Sequence, residues 1–186
     1  IYLAPFLTRP PRDPDLMARI GAVLRASFAC EVRTLPPAPL PSGAYVRDRR
    51  QVQALTLAPH LVGSMPGDAL FVLAVTDRDL SVGSLSKAFG WGSLKLRVGV
   101  LSTARLEAEA DPPLYRRRAL TLALHESGHL LSLPHCTFYR CLMNGALTLA
   151  EEMPRYNVGM VLHDREHDLV AGFDVFAPER IGDQIN

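Results

Sequence analysis

Six side chains able to hold a metal or move a proton crowd into one stretch of the 186-residue chain, "LTLALHESGHLLSLPHCTFYRCLMN", from Leu120 to Asn144. They are His125, Glu126, His129, His135, Cys136 and Cys141, and they include three of the six histidines and two of the three cysteines. On a helix, residues four apart lie on one face, so His125 and His129 present their imidazoles side by side to a single ion. Glu126 is turned about 100° from His125. There it stands near the site but off the ligand axis, where a general base would take a proton from water. Hydrolytic zinc takes three protein ligands and leaves one position open. His135 is the candidate third ligand, because Pro134 disfavours further helix and the chain can turn there to fold the ring back. Zinc on three neutral imidazoles keeps both its charges, polarises a carbonyl and lowers the pKa of bound water to about 7.

Ordinary core histidines seldom come three together with a glutamate beside the first, so coincidence explains this cluster poorly. Other metal readings remain open at this level. A zinc-binding module could recognise peptides or a partner without cutting them. A purely structural zinc could be closed by a fourth protein ligand such as Cys136, Asp164 or Glu151. A thermolysin-like site would instead take Glu151 or Glu152 as its third ligand. Met143 reads as core filling. Tyr139 and Tyr156 could donate a hydrogen bond to an oxyanion, but their spacing does not require it, and surface or core packing is the better account of them.

The stretch "HESGHLLSLPHCTFYRCLM" resembles the archaemetzincins, metzincin-clan zinc peptidases with the signature H-E-x-x-H-x-x-G-x-x-H-C-x4-C-x-M. Upstream, "LAVTDRDL", "FGWG" and "VGVLSTARL" are similar to family segments, so the resemblance runs from about Tyr45 to Leu169. It implies that His125, His129 and His135 are the catalytic zinc ligands, Glu126 the general base, and Met143 the methionine of the turn beneath the metal. Two positions depart from the pattern. Ser132 stands where the family has a glycine, at a left-handed turn that strains a residue with a β-carbon by about 1 kcal/mol or more. The family also closes a second, structural zinc site with a later C-x-x-C pair, which this chain lacks. In "LHDREHDL", His163 stands near the first missing thiolate and Glu166 or His167 near the second. A Cys136, Cys141, His163, His167 site is the expectation, since zinc accepts Cys2His2 and His163 and His167 share a helical face. The family fold also implies that "LRVGVLS" is an exposed edge to which an extended peptide can pair.

The elements that must position this cluster can be read from pattern. "IYLAPFL" is a short buried strand, and "DPDLMARIGAVLRASF" carries Leu16, Ile20, Val23, Leu24 and Phe28 at helical spacing after an aspartate start. "CEVRTL" reads as a second strand, and the proline-rich "PPAPLPSG" as a surface connector. "DRRQVQALTLAPHLV" reads as a helix, "ALFVLAV" and "LKLRVGVLS" as strands, and "FGWG" as loop or bulge. "DPPLYRRRALTLALHESGHLLSL" is the longest helix, with Asp111 as N-cap and its prolines in the first turn. Loop and short helix follow in "MNGALTLAEEMPRYN", and "VGMVLHDREHDLVAGF" reads as a C-terminal helix.

This alternation gives an α/β (α+β) layer architecture, and the resemblance implies that it is zincin-like or metzincin-like, with a mixed twisted sheet packed against helices. One catalytic domain spans 1–186. Residues 1–131 would hold the sheet and active-site helix, and a small 132–186 subdomain the third histidine, the methionine turn and the last helix.

Composition bounds the partners. Hydrophobic content of 48 % with 21 % charged residues is that of a folded domain. A net charge of +1 provides no field for nucleic acid or an anionic membrane, so "RDRR" and "YRRR" read as solvated helix faces. No apolar run approaches the ~18 residues of a membrane span, and the N-terminus lacks the pattern of an export signal. Three cysteines argue against a disulfide framework and fit a reducing, cytoplasmic setting, with Cys30 a buried thiol. The expected partner is a peptide or protein substrate, the chain a monomer, and the cofactor zinc: one catalytic ion, with the second site open between a structural zinc and free thiols beside histidines on a solvated helix face.

Overall fold

The computed structural model describes residues 1–106, 110–136 and 141–144. Across its width the main sheet runs Arg33–Thr34, Tyr2–Phe6, Val72–Thr76, Val98–Ser102 and Gly90–Ser93. Strands β1 (Tyr2–Phe6), β2 (Arg33–Thr34), β5 (Val72–Thr76) and β9 (Val98–Ser102) run parallel, and β8 (Gly90–Ser93) closes one edge antiparallel to β9. The three central strands β1, β5 and β9 are buried at every position, as a parallel sheet covered on both faces demands.

Alternation divides the sheet between two cores. Leu3, Leu73 and Leu101 point to the face covered by α1 (Leu16–Phe28) and α3 (Pro112–Leu130). Ala4, Ala74 and Val100 point to the face covered by α2 (Ala54–Gly63). On α1, Leu16, Ile20 and Leu24 are fully enclosed while Val23 and Phe28 pack at the margin, which is the stripe the sequence spacing predicts. Each leucine so enclosed contributes about 1.5–3 kcal/mol.

Several expectations are corrected. The segment 48–62 is not one helix: Arg47–Arg49 form a single 3-10 turn and Gln51–Gln53 form strand β4, so the helix starts only at Ala54. With β3 (Tyr45–Val46), β6 (Asp79–Val82) and β7 (Leu85–Ala88), β4 builds a second sheet of order β3-β4-β6-β7. Tertiary pairing overrides the helical period there, because Gln51 is held by Asp79 and Arg105 also binds Asp79 through both carboxylate oxygens. "FGWG" is not a loop, since Gly90–Ser93 pairs with Val98–Leu101 as β8. Consequently "LRVGVLS" is not the edge: β9 lies between β5 and β8, and β8 is the edge strand.

"YRRR" is not a solvated face either. Tyr115 and Arg118 are buried, Arg118 donates to the Leu106 carbonyl, and Arg116 donates to Asp13 at 2.6 Å. That last bond ties α3 to the start of α1. Cys30 is only partly buried, at the margin of the core. "CEVRTL" shrinks to a two-residue exposed strand. The C-terminal elements expected beyond Asn144 lie outside the described residues. Among the described residues, no helix is long and apolar enough to cross a membrane.

Candidate metal centre

Helix α3 carries the cluster, and its two ends are set by different chemistry. At the start, Asp111 accepts a hydrogen bond from the Leu114 N–H at 2.8 Å, and Pro112 and Pro113 occupy positions whose N–H would be unpaired anyway. Along its length, Tyr115, Ala119, Leu122, Ala123 and Leu130 pack into the core. Leu130 lies over glycines of the sheet. A β-carbon on Gly99 would come within 3.0 Å of it, and one on Gly92 within 3.3 Å, so bare strand positions let the helix sit close.

At the other end the helix is closed by a Schellman turn. Leu133 N–H donates to the Gly128 carbonyl at 2.9 Å and Ser132 N–H to the His129 carbonyl at 3.1 Å. Ser132 takes the left-handed position with φ 71°. The reversal expected just past Leu131 is present, made by a serine in a conformation that glycine adopts without strain.

The turn brings the three imidazoles together. Ring centroids of His125 and His129 are 4.6 Å apart, and His135 lies 5.4 Å from the first and 4.7 Å from the second. One ligand atom from each lies within 4.8 Å of the others. His125 Nδ1 is 2.7 Å from the Leu142 carbonyl and His129 Nδ1 is 2.8 Å from the Leu133 carbonyl. A carbonyl only accepts, so both Nδ1 atoms carry the proton and both Nε2 atoms turn a lone pair inward. Those Nε2 atoms face each other at 3.0 Å. Two neutral acceptors cannot bond to one another, whereas a zinc ion with Zn–N of about 2.0–2.1 Å needs its ligand nitrogens roughly 3.3 Å apart. Burial, then the neighbouring histidines, holds His125 down at about 4 despite its carbonyl partner, and burial lowers His129 as well. Both rings are neutral at pH 7, the state a metal needs. The donor set fits zinc.

Glu126 follows His125 and is 5 % exposed. Its carboxyl is pushed up to about 8 by burial alone. It packs against Gly90 of the edge strand. Met143 is buried, and a β-carbon on Gly128 would lie 2.6 Å from its Sδ. The methionine therefore fits onto the one bare position between the two helical histidines. Sequence reasoning passed over Gly128, although a glycine inside a helix costs about 1 kcal/mol against alanine and needs a packing reason.

Cys136 and Cys141 form a knuckle beside this site. The Cys136 N–H donates to the Met143 carbonyl at 2.8 Å, and the Cys141 N–H donates to Asn144 Oδ1 at 2.8 Å. Asn144 Nδ2 returns a bond to the Cys136 carbonyl at 2.7 Å. Burial and then the adjacent Cys136 thiol push the Cys141 thiol up to about 11. Asn144 was the unrecognised residue here, and only its place three positions after a cysteine hinted at a turn. His163, Glu166 and His167, as well as Glu151, Glu152, Asp164, Tyr139 and Tyr156, lie outside the described residues.

Comparison with known proteins agrees with this geometry. The model of the family described as Peptidase family M54 matches residues 61–156. The archaemetzincin of Natronomonas pharaonis is 32 % identical over 136 residues, which are 69 % of this chain and 78 % of that protein. That of Haloarcula marismortui is 33 % identical over 139 residues, with the same shares covered. Among solved structures, archaemetzincin from Methanopyrus kandleri superposes with a TM-score of 0.72 at 30 % identity, covering 86 % of this chain and 87 % of that one. Archaemetzincin from Archaeoglobus fulgidus, complexed with malonate, gives 0.70 at 28 % identity, covering 84 % and 92 %.

Proposed function

The chain belongs to the archaemetzincins, peptidase family M54, and we propose that this zinc-dependent peptidase holds its ion on His125, His129 and His135 and uses Glu126 as general acid and base. The observation that carries the ligand assignment is the inward pair of Nε2 lone pairs, each fixed by a carbonyl on the far side of its ring. Such outer bonds orient imidazole ligands and set their tautomer. A zinc ion held there supplies Lewis acidity, polarising the scissile carbonyl and making water acidic near neutral pH.

The remaining steps belong to the protein. Glu126 takes the proton from the attacking water at a carboxylate oxygen and delivers it to the leaving amine. Burial raises this carboxyl, so it holds the proton taken from water firmly enough to carry it to the amine. Met143, seated on Gly128, packs as the floor under the two helical histidines.

Strand β8 is where an extended peptide would add. Ser102 N–H bonds to the Phe89 carbonyl at 2.8 Å, which makes 89 and 102 a hydrogen-bonded pair. In that register Trp91 and Ser93 also bond inward to β9, so Gly90 and Gly92 turn their N–H and C=O groups outward. A peptide seated there lies beside Glu126.

For the second metal, the adjacent thiols of Cys136 and Cys141 support two of four ligands, with His163 and His167 proposed to complete a Cys2His2 site. Metal analysis decides it: two zinc ions per chain are expected, and one in fully active protein overturns the second site. Three cysteines in the whole sequence, an odd and low number, support a reducing compartment such as the cytoplasm.

The test of the catalytic reading is Glu126→Ala. Zinc content is expected to be unchanged while peptide cleavage, followed by mass spectrometry of a peptide library, falls below detection. Turnover equal to wild type would remove Glu126 from the mechanism. Absence of cleavage by the zinc-loaded wild-type protein would instead favour a recognition module.

A further inference from the structure

Gly90 is unusual among the glycines of the sheet. A β-carbon built there would overlap the Glu126 carboxylate and lie 2.6 Å from its Cγ, and the three nearest heavy atoms all belong to Glu126. Gly92 differs, because the nearest atoms there are two Leu130 carbons at 3.3 and 3.5 Å, a distance that a shift of a few tenths of an ångström accommodates. Nor does backbone conformation call for glycine at position 90, since it lies in an extended strand and is absent from the positive-φ residues. Where a strand glycine has no conformational cause, close approach by another group is the remaining one. Here that group is the side chain assigned the proton transfer, which passes from α3 to the inner face of the edge strand and rests on a bare α-carbon.

We propose that Gly90 is a positioning residue: the missing side chain leaves the space that seats the Glu126 carboxylate beneath the strand to which substrate adds. The same residue turns its N–H and C=O outward, so proton acceptor and peptide-pairing edge meet at one backbone position. A methyl group at 90 would keep both outward groups while driving the carboxylate from its seat. The inference rests on the reading of Glu126 as general base, and displacement of a reacting group by about 1 Å can cost on the order of a hundredfold in rate.

The experiment compares full-length Gly90→Ala, Glu126→Ala and the double variant. For G90A, kcat is expected to fall at least about tenfold, with KM within about twofold and zinc content as in wild type. A strand defect of general kind would move KM or zinc content too. Melting temperatures of the metal-free proteins give a second readout without hydrolysis: the loss caused by G90A should shrink when Glu126 is already alanine, because the colliding group is gone. Wild-type kcat in G90A would overturn the proposal, as would a loss of kcat accompanied by loss of zinc or by the same melting deficit in both backgrounds. If G90A does not fold, a folded double variant supports the steric pairing and an unfolded one overturns it. If E126A alone cleaves normally, the catalytic reading fails, while the melting comparison still reports on the contact.

Discussion

The proposed metal centre is assembled from two unlike regions. His125, Glu126 and His129 stand on a 19-residue helix whose position is set by its N-cap, by the Asp13–Arg116 bond and by Leu130 pressed on a glycine-bearing sheet. His135 and Met143 stand on the irregular chain that follows, placed by single hydrogen bonds and one left-handed serine. The dependence is mutual. The carbonyls of Leu133 and Leu142, both on the irregular part, orient the two helical histidines. A preformed helix can offer two rings at the right spacing, but only the returning chain turns their lone pairs inward.

Removing a ligand from each region tests this division, and it carries the largest expected effect. His129→Ala should lose both zinc and peptidase activity, because the helical pair is the part built in advance. His135→Ala should still take up zinc, at an affinity lower by orders of magnitude, and should be inactive. Titration of the metal-free proteins with zinc, read by melting temperature, separates the two through the usual binding linkage. Equal affinities in both variants would mean that the two regions do not differ as described.

The junction of the two regions comes next. Gly128→Ala adds a methyl group 2.6 Å from Met143 Sδ. Overpacking of this kind costs about 1–3 kcal/mol, partly offset by the roughly 1 kcal/mol that alanine gains over glycine in a helix. The net expectation is a modest loss of thermal stability together with weaker zinc binding, since Met143 and Leu142 move together and Leu142 holds His125. Met143→Ala added to G128A should recover part of the zinc affinity. A G128A protein more stable than wild type and equal in zinc affinity would show that the methionine is not seated there.

The two regions were also unequally legible in the sequence. Helix α3, its Asp111 cap and its proline start follow from local rules, as do the buried central strands, because each rule concerns residues within a few positions of one another. The second sheet did not follow. Gln51 to Gln53 continue a helical pattern, and pairing with Tyr45 and Val46 on one side and with Asp79 to Ser81, far along the chain, on the other makes them a strand. Likewise "FGWG" reads as loop because glycine is poor in strands, and its value as strand arises only when Glu126 and Leu130 arrive from α3. The cluster of histidines was legible as types and spacing. The carbonyls that orient them were not, since a backbone oxygen has no signature in the sequence.

Ser132 gives the smallest effect and the closest view of the boundary between the regions. A residue with a β-carbon in the left-handed conformation carries roughly 1–2 kcal/mol of strain. Glycine would relieve it but would also give back about 0.4–1 kcal/mol through the greater freedom of the unfolded chain. The strain is the larger quantity, so Ser132→Gly should raise stability by about 0.5 kcal/mol, or roughly 1–2 °C in melting temperature for a chain of this size. Zinc affinity should rise little, because Ser132 already holds the turn and its two hydrogen bonds are made. Ser132→Val supplies the opposite sign, since a β-branched residue is a genuine outlier at positive φ and should lower both stability and zinc affinity. A glycine variant that melts below wild type would mean that the chain leaves the helix by another route, and that His135 reaches its neighbours without this turn.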